Sequence, residues 1–242
     1  MIPLRDTIPS RRTPIATWVI IGINVVAFLY ESILSSRQLE NLFMTYGLIP
    51  AAFWEQGVLP SLVPLFASMF LHGGWMHLIS NMLALYIFGD NIEDRLGHFR
   101  YVLFYLLGGV VASGAQLVFS RNSELPTIGA SGAIAAVLGA YLILYPRSRV
   151  VTLVPIFYFA RIIQVPAVLY LGFWFVSQLF NGALALADPG TLDVGGVAYW
   201  AHIGGFLFGL AIMKLISPKR PKPEVEYYQS PRIYYPDDSR RW

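Results

Sequence analysis

Six apolar stretches divide the chain, at about residues 15–34, 65–88, 101–119, 131–145, 161–186 and 198–216, with polar linkers carrying most of the charge between them. Five are long enough for a helix to cross a hydrocarbon core of about 30 Å. The fourth is not. From Ser131 to Pro146 a helix rises only about 22 Å, so a spanning helix there begins roughly 8 Å inside the bilayer. Irregular backbone at that depth, here Thr127 to Ala130, is tolerated only when buried in protein or beside a water-filled cavity. Ser131 stands at the mouth of that helix. The pattern predicts an all-α membrane protein: a six-transmembrane-helix bundle with a short central fourth helix.

Charge placement orients the bundle. With the N-terminus inside, 15 of the 17 Lys and Arg residues fall on inner segments, leaving only Arg37 and Arg121 outside. The positive-inside rule then puts both termini in the cytoplasm. The first ten residues are polar and contain proline, with no cleavable signal evident, so the first span reads as a signal anchor. Three regions follow: a cytoplasmic segment 1–14, a six-span domain 15–216 and a Pro-rich, charged tail 217–242, expected to be disordered and near anionic lipid. The outer loop 35–64 carries Phe43, Met44, Phe53 and Trp54 without a spanning run. It suits either short helices in the headgroup region or an ordinary structured loop. With no cysteine in the chain, disulfides, thiol catalysis and thiolate metal sites are excluded.

Polar residues inside spans are costly and therefore functional candidates. His72, His77 and Asn81 lie in the second stretch, Ser131 in the fourth and His202 in the sixth. All three spans run from outside to inside. Measured from their inner boundaries, His77 and His202 sit about 18 Å up and Ser131 about 22 Å. Asn81 lies one turn below His77 on the same face. Gly132, Ala136 and Ala140 on the fourth span, and Ala201, Gly205 and Gly209 on the sixth, form small-residue ridges that let two backbones approach. Such packing would bring the hydroxyl and imidazole together. A serine becomes nucleophilic when imidazole accepts its proton, and attack on an amide builds an oxyanion that needs donors. The first-turn amides of the fourth helix, with His77 and Asn81, could supply them. Asp90, Glu93 and Asp94 lie at the inner surface, so a Ser–His dyad is expected rather than a triad.

Blander readings stand beside this one. Serines in membrane helices commonly make back-bonds or helix contacts, and a membrane histidine can serve a proton relay. His72, His77 and His202 could form a metal site, though no intramembrane carboxylate or thiolate accompanies them. Asn24, Gln116 and Gln178 read as interhelical hydrogen bonders. A helix-binding protein without catalysis and a small transporter are the alternatives; neither paired repeats nor midplane charge favours the latter.

At these residues the sequence resembles the rhomboid family of intramembrane serine proteases. Gly129-Ala130-Ser131-Gly132 resembles its GxSG motif, and Ala201-His202-Ile203-Gly204-Gly205-Phe206 its AHxxG-type motif. His72 to Asn81 resembles HxxxxHxxxN, and Gly89 to Gly97 the family's inner-loop pattern. The resemblance implies Ser131 as nucleophile, His202 as general base, and His77, Asn81 and the Ser131 N–H as oxyanion donors. His72 would support the outer rim, and Phe173, Trp174 and Phe175 would lie on a gating fifth span. It further implies single-span membrane proteins as substrates, cut in or near the outer part of their helix. The compact six-span pattern, with no transit peptide evident, gives a bacterial plasma (inner) membrane as the expected location. No metal, cofactor or nucleic-acid partner is implied. Two features differ from some members: the outer loop lacks a Trp-Arg pair, and Ala135 occupies the place of an aromatic that stacks on the base.

Overall fold

The computed structural model describes residues 1–156, 159–187 and 197–216. The expectation for the tail 217–242 falls outside them. In chain order the elements are β1 (Ile2–Asp6), α1 (Ile15–Ser32), α2 (Ser36–Tyr46), α3 (Pro50–Gln56), α4 (Val58–Ala67), α5 (Trp75–Leu96), α6 (His98–Phe119) and α7 (Ser131–Leu144). There follow β2 (Arg149–Ile156), β3 (Phe159–Pro166), α8 (Ala167–Ala187) and α9 (Tyr199–Ile216). Among the described residues, α1, α6, α8 and α9 are each long and apolar enough to cross a membrane, and α4 with α5 adds a fifth candidate as one bent pair. Their outward faces expose Val26, Leu107, Phe173 and Phe180, an apolar surface suited to lipid rather than water.

The short helix is the axis of the bundle. Every residue of α7 from Gly132 to Tyr141 is buried, and α5, α6 and α9 pack around it. Small residues make this possible. A Cβ on Gly205 would run into the Gly132 carbonyl, and one on Gly209 into the Ala136 carbonyl, so α9 lies backbone to backbone on α7. On another side, a Cβ on Gly132 would lie 2.7 Å from Ala112 of α6. The two predicted ridges are therefore the α7–α9 interface.

Three expectations need correction. The second stretch is not one straight helix. α4 ends in a 3-10 turn at Ser68–Phe70, and the chain bends by 82° before α5 starts at Trp75. Hydropathy averages over a window and is blind to this change of direction. The fold is also mostly helical rather than all-α. β1, β2 and β3 form an antiparallel sheet in that order, with Asp6 opposite Val150 and Arg149 opposite Pro166. Residues 161–166, assigned above to the start of the fifth span, belong to β3, and the helix begins at Ala167. The β-branched run Val150, Val151, Thr152, Val154 favours extended backbone. Segment 1–14 contributes β1 to this sheet.

Two anchors tie the polar end of the molecule together. The first turn of α1 has no side-chain cap of its own. The buried Glu93 carboxylate of α5 caps it, accepting the Ala16 N–H at 2.8 Å, the Thr17 N–H at 2.7 Å and the Thr17 hydroxyl at 2.6 Å. At the last turns of α7 the Tyr141 hydroxyl donates to Asp6 of β1 and lies 2.9 Å from the Ser148 hydroxyl, joining sheet to bundle.

Candidate active site

The approach to α7 is pinned on both sides by backbone. Leu48 and Thr127 exchange hydrogen bonds of 3.0 and 2.8 Å, and the Gly129 N–H donates to the Ser68 carbonyl at 2.8 Å. The irregular segment before Ser131 is thus paired with protein, as its expected depth requires. Gly129 sits at φ 123°, a left-handed value that a side chain resists. The place a Cβ would take there lies 2.7 Å from His77 Nε2 and 3.7 Å from Ser131 Oγ. Glycine lets imidazole and hydroxyl face one common space.

The Ser131 hydroxyl and the imidazole of His202, 71 residues later, meet at 2.7 Å between Oγ and Nε2. The α7–α9 ridge sets this distance, since Gly132 and Gly205 adjoin the two residues. His202 is 9% exposed, whereas Ser131 and His77 remain partly open. Asn81 is buried one turn beyond His77, and its amide Nδ2 has no partner among the described residues. A buried donor left free is costly unless something binds it.

His72 lies in the bend rather than on α5. Its ring is buried and meets the His77 ring edge to face at 5.0 Å. Its backbone N–H is held at 3.2 Å by both oxygens of Glu31, a buried carboxylate at the end of α1. Sequence reasoning did not single out Glu31; its signal was an acid at the edge of an apolar span. The order Leu71-His72-Gly73-Gly74, followed at once by α5, puts His77 in the first turn of its helix.

Two further neighbours of His202 come from α8. The Gln178 side-chain oxygen lies 2.8 Å from His202 Nδ1, and the Trp174 ring lies 5.7 Å from the imidazole between centroids. The sequence marks Gln178 as an interhelical hydrogen bonder, but its partner depends on the rotational phase of α8 against α9. Trp174 packs against the ring that Ala135 leaves without an aromatic from α7. Phe175 stacks on Phe206 of α9, while Phe173 points outward. Gln116 does bridge helices, accepting the Ala201 N–H of α9 at 3.3 Å. Asn24 bonds back to Ile20 of its own helix at 2.7 Å. The outer loop is built of the short helices α2, α3 and α4. Its Trp54 donates to the Leu117 carbonyl and carries the Arg121 guanidinium 4.8 Å above its ring.

A hydroxyl bonded to one imidazole and facing a second across a common space is an arrangement that acyl transfer can use. Comparison with known proteins agrees on the family. Residues 59–219 match the Rhomboid domain. Rhomboid-like protein 11, chloroplastic, of Arabidopsis thaliana is 31% identical over 215 residues, 86% of this chain and 68% of its own length. Rhomboid protein 1, mitochondrial, of Saccharomyces cerevisiae is 27% identical over 85% of this chain. Rhomboid protease GluP of Bacillus subtilis is 30% identical over 82% of it. The chain spans 55% of the yeast protein and 35% of GluP. With the domain matched over most of its length, this multi-pass membrane protein belongs to the rhomboid family.

Proposed function

We propose that this protein is an intramembrane serine endopeptidase that cuts transmembrane segments of single-span membrane proteins through a Ser131–His202 dyad. The observation that carries the reading is the 2.7 Å contact between Ser131 Oγ and His202 Nε2 beside the His77 ring. Membership of a family that includes a relative named as a protease supports it.

The steps follow from the geometry. His202 Nε2 takes the hydroxyl proton as Ser131 Oγ attacks the scissile carbonyl carbon. The resulting oxyanion accepts hydrogen bonds from the Ser131 N–H at the start of α7, the His77 ring and the Asn81 amide. When the C–N bond breaks, His202 returns its proton to the leaving amine, and an acyl-Ser131 ester remains. Water, deprotonated by His202, then attacks that ester and restores the hydroxyl. Each step uses only groups of this chain, the substrate and water.

In this reading the bent α4–α5 pair and the short α7 complete six spans across 15–216, both termini are cytoplasmic and the site opens outward. The host is a bacterial plasma membrane. A fluorophosphonate probe tests the dyad on protein purified in detergent. Labelling should map to Ser131 and vanish in Ser131→Ala and His202→Ala, both still folded. Equal labelling of Ser131→Ala, or none of the wild type, would overturn the mechanism.

A further inference from the structure

A base that works through Nε2 must carry its proton on Nδ1, so something has to hold that tautomer. The group at Nδ1 is the Gln178 side-chain oxygen at 2.8 Å. A carbonyl oxygen only accepts, so Nδ1 is the donor and Nε2 keeps its lone pair for the Ser131 hydroxyl. The amide is itself fixed. Its nitrogen lies 3.2 Å from the Trp174 carbonyl and 3.0 Å from the Ser177 hydroxyl. Turning it over would set oxygen against the Trp174 carbonyl oxygen. Helical spacing puts the side chain there. The buried residues of α8 are Ala167, Leu171, Gln178 and Gly182, a single stripe on an otherwise outward-facing helix.

We infer that Gln178 is the positioning residue of the base, a third member that sets the tautomer and plane of His202 without a buried charge. The inference rests on the dyad reading above. An ionised carboxylate at this place would have to be desolvated, whereas a neutral amide orients the ring at lower cost. Trp174, one turn earlier on the same stripe, limits tilting of the imidazole from its face.

The test pairs a structural signature with a rate, using full-length protein. The chain has 4 histidines, so ¹⁵N-histidine spectra are simple, and His202→Ala assigns the signal. Wild type should show the Nδ1–H tautomer. Gln178→Leu should lose that preference and slow fluorophosphonate labelling of Ser131 by about 10- to 100-fold. That is less than the roughly 10⁴-fold seen when a carboxylate orienting a catalytic histidine is replaced. Gln178→Glu keeps an acceptor oxygen in either protonation state and should recover the tautomer and most of the rate. An unchanged tautomer in Gln178→Leu overturns the inference, whether or not labelling slows, because slowing alone would be a packing effect. If wild type fails to label, the dyad reading falls, and the tautomer in Gln178→Leu still decides whether Gln178 orients His202.

Discussion

Replacing Glu93 by glutamine changes few atoms but reverses the character of one end of the carboxylate. Two oxygens now accept the Ala16 N–H, the Thr17 N–H and the Thr17 hydroxyl, and one oxygen also meets His98. A glutamine must turn its NH₂ toward one of those donor sets, so at least one backbone N–H loses its acceptor. Hydrogen bonds to a charged group are worth about 1.5–3 kcal/mol each. The negative charge at a helix N-terminus adds about 0.3–1 kcal/mol, and more when partly buried. Losing one such bond and the charge on the rest comes to about 2–4 kcal/mol, a large part of a typical total of about 5–15 kcal/mol. At about 2–4 °C per kcal/mol for a chain of this size, the melting midpoint in detergent should fall by about 4–16 °C.

Thr17→Val, made alone and with Glu93→Gln, sharpens the assay. The two changes share a contact, so the double variant should be more stable than additivity predicts, by about 1–2 kcal/mol. Labelling of Ser131 at low temperature should persist, because Glu93 lies about 24 Å along α5 from His77. A Glu93→Gln midpoint within about 2 °C of wild type would refute the cap as an anchor of α1. Strict additivity would refute the direct link to Thr17.

On the proposed mechanism, His77→Ala and Asn81→Ala should each slow peptide cleavage by about 10²–10³-fold with substrate affinity little changed, as for one oxyanion donor. Unaltered turnover in both would remove them from the site. Asp6 provides a pH prediction. Burial pushes its carboxyl up to about 7 from an ordinary 3.8, the Tyr141 hydrogen bond opposing and Asp90 reinforcing the rise. The folded protein therefore holds this proton more tightly than the unfolded chain. The stabilisation is complete below about pH 3.8 and lost as pH rises through about 7. Melting curves from pH 5 to 8 should show a decline in wild type that Asp6→Asn flattens, and parallel curves would refute the assignment.

What could be read from the sequence was whatever hydropathy and residue size dictate locally. Apolar length located the spans. Small residues every fourth position specified which faces of α7 and α9 meet, because any side chain at Gly205 or Gly209 would strike a carbonyl. That contact is what carries His202 to Ser131, so the pair was legible before any coordinates. The sheet was not, because Phe159–Pro166 is apolar enough to be absorbed into a span, and its pairing with β2 is non-local. Gln178 was visible as a polar residue in a span, but its partner depends on how α8 is rotated.

The bend at 71–74 has the largest consequence for the site. Treated as continuous from residue 65, the second span would put His77 in mid-helix, where backbone amides are spent on the preceding turn. The observed start at Trp75 puts it in a first turn instead. Ser131 is the first residue of α7, and His202 is the fourth of α9. The proposed nucleophile, base and oxyanion donor thus all belong to the opening turns of three separate helices. In α9 the Ala201 N–H donates to Gln116 and the His202 N–H to the Ala198 carbonyl, but the opening turns of α5 and α7 keep N–H groups without helical partners and the positive end of each helix dipole. A negative charge developing between them is favoured before any side chain donates. Such preorganisation is strongest where water is scarce, which gives a physical reason for seating the proposed chemistry at helix starts. It also explains why α7 can be short: a helix extended at its N-terminus would carry its positive end away from the space shared by Ser131 and His77.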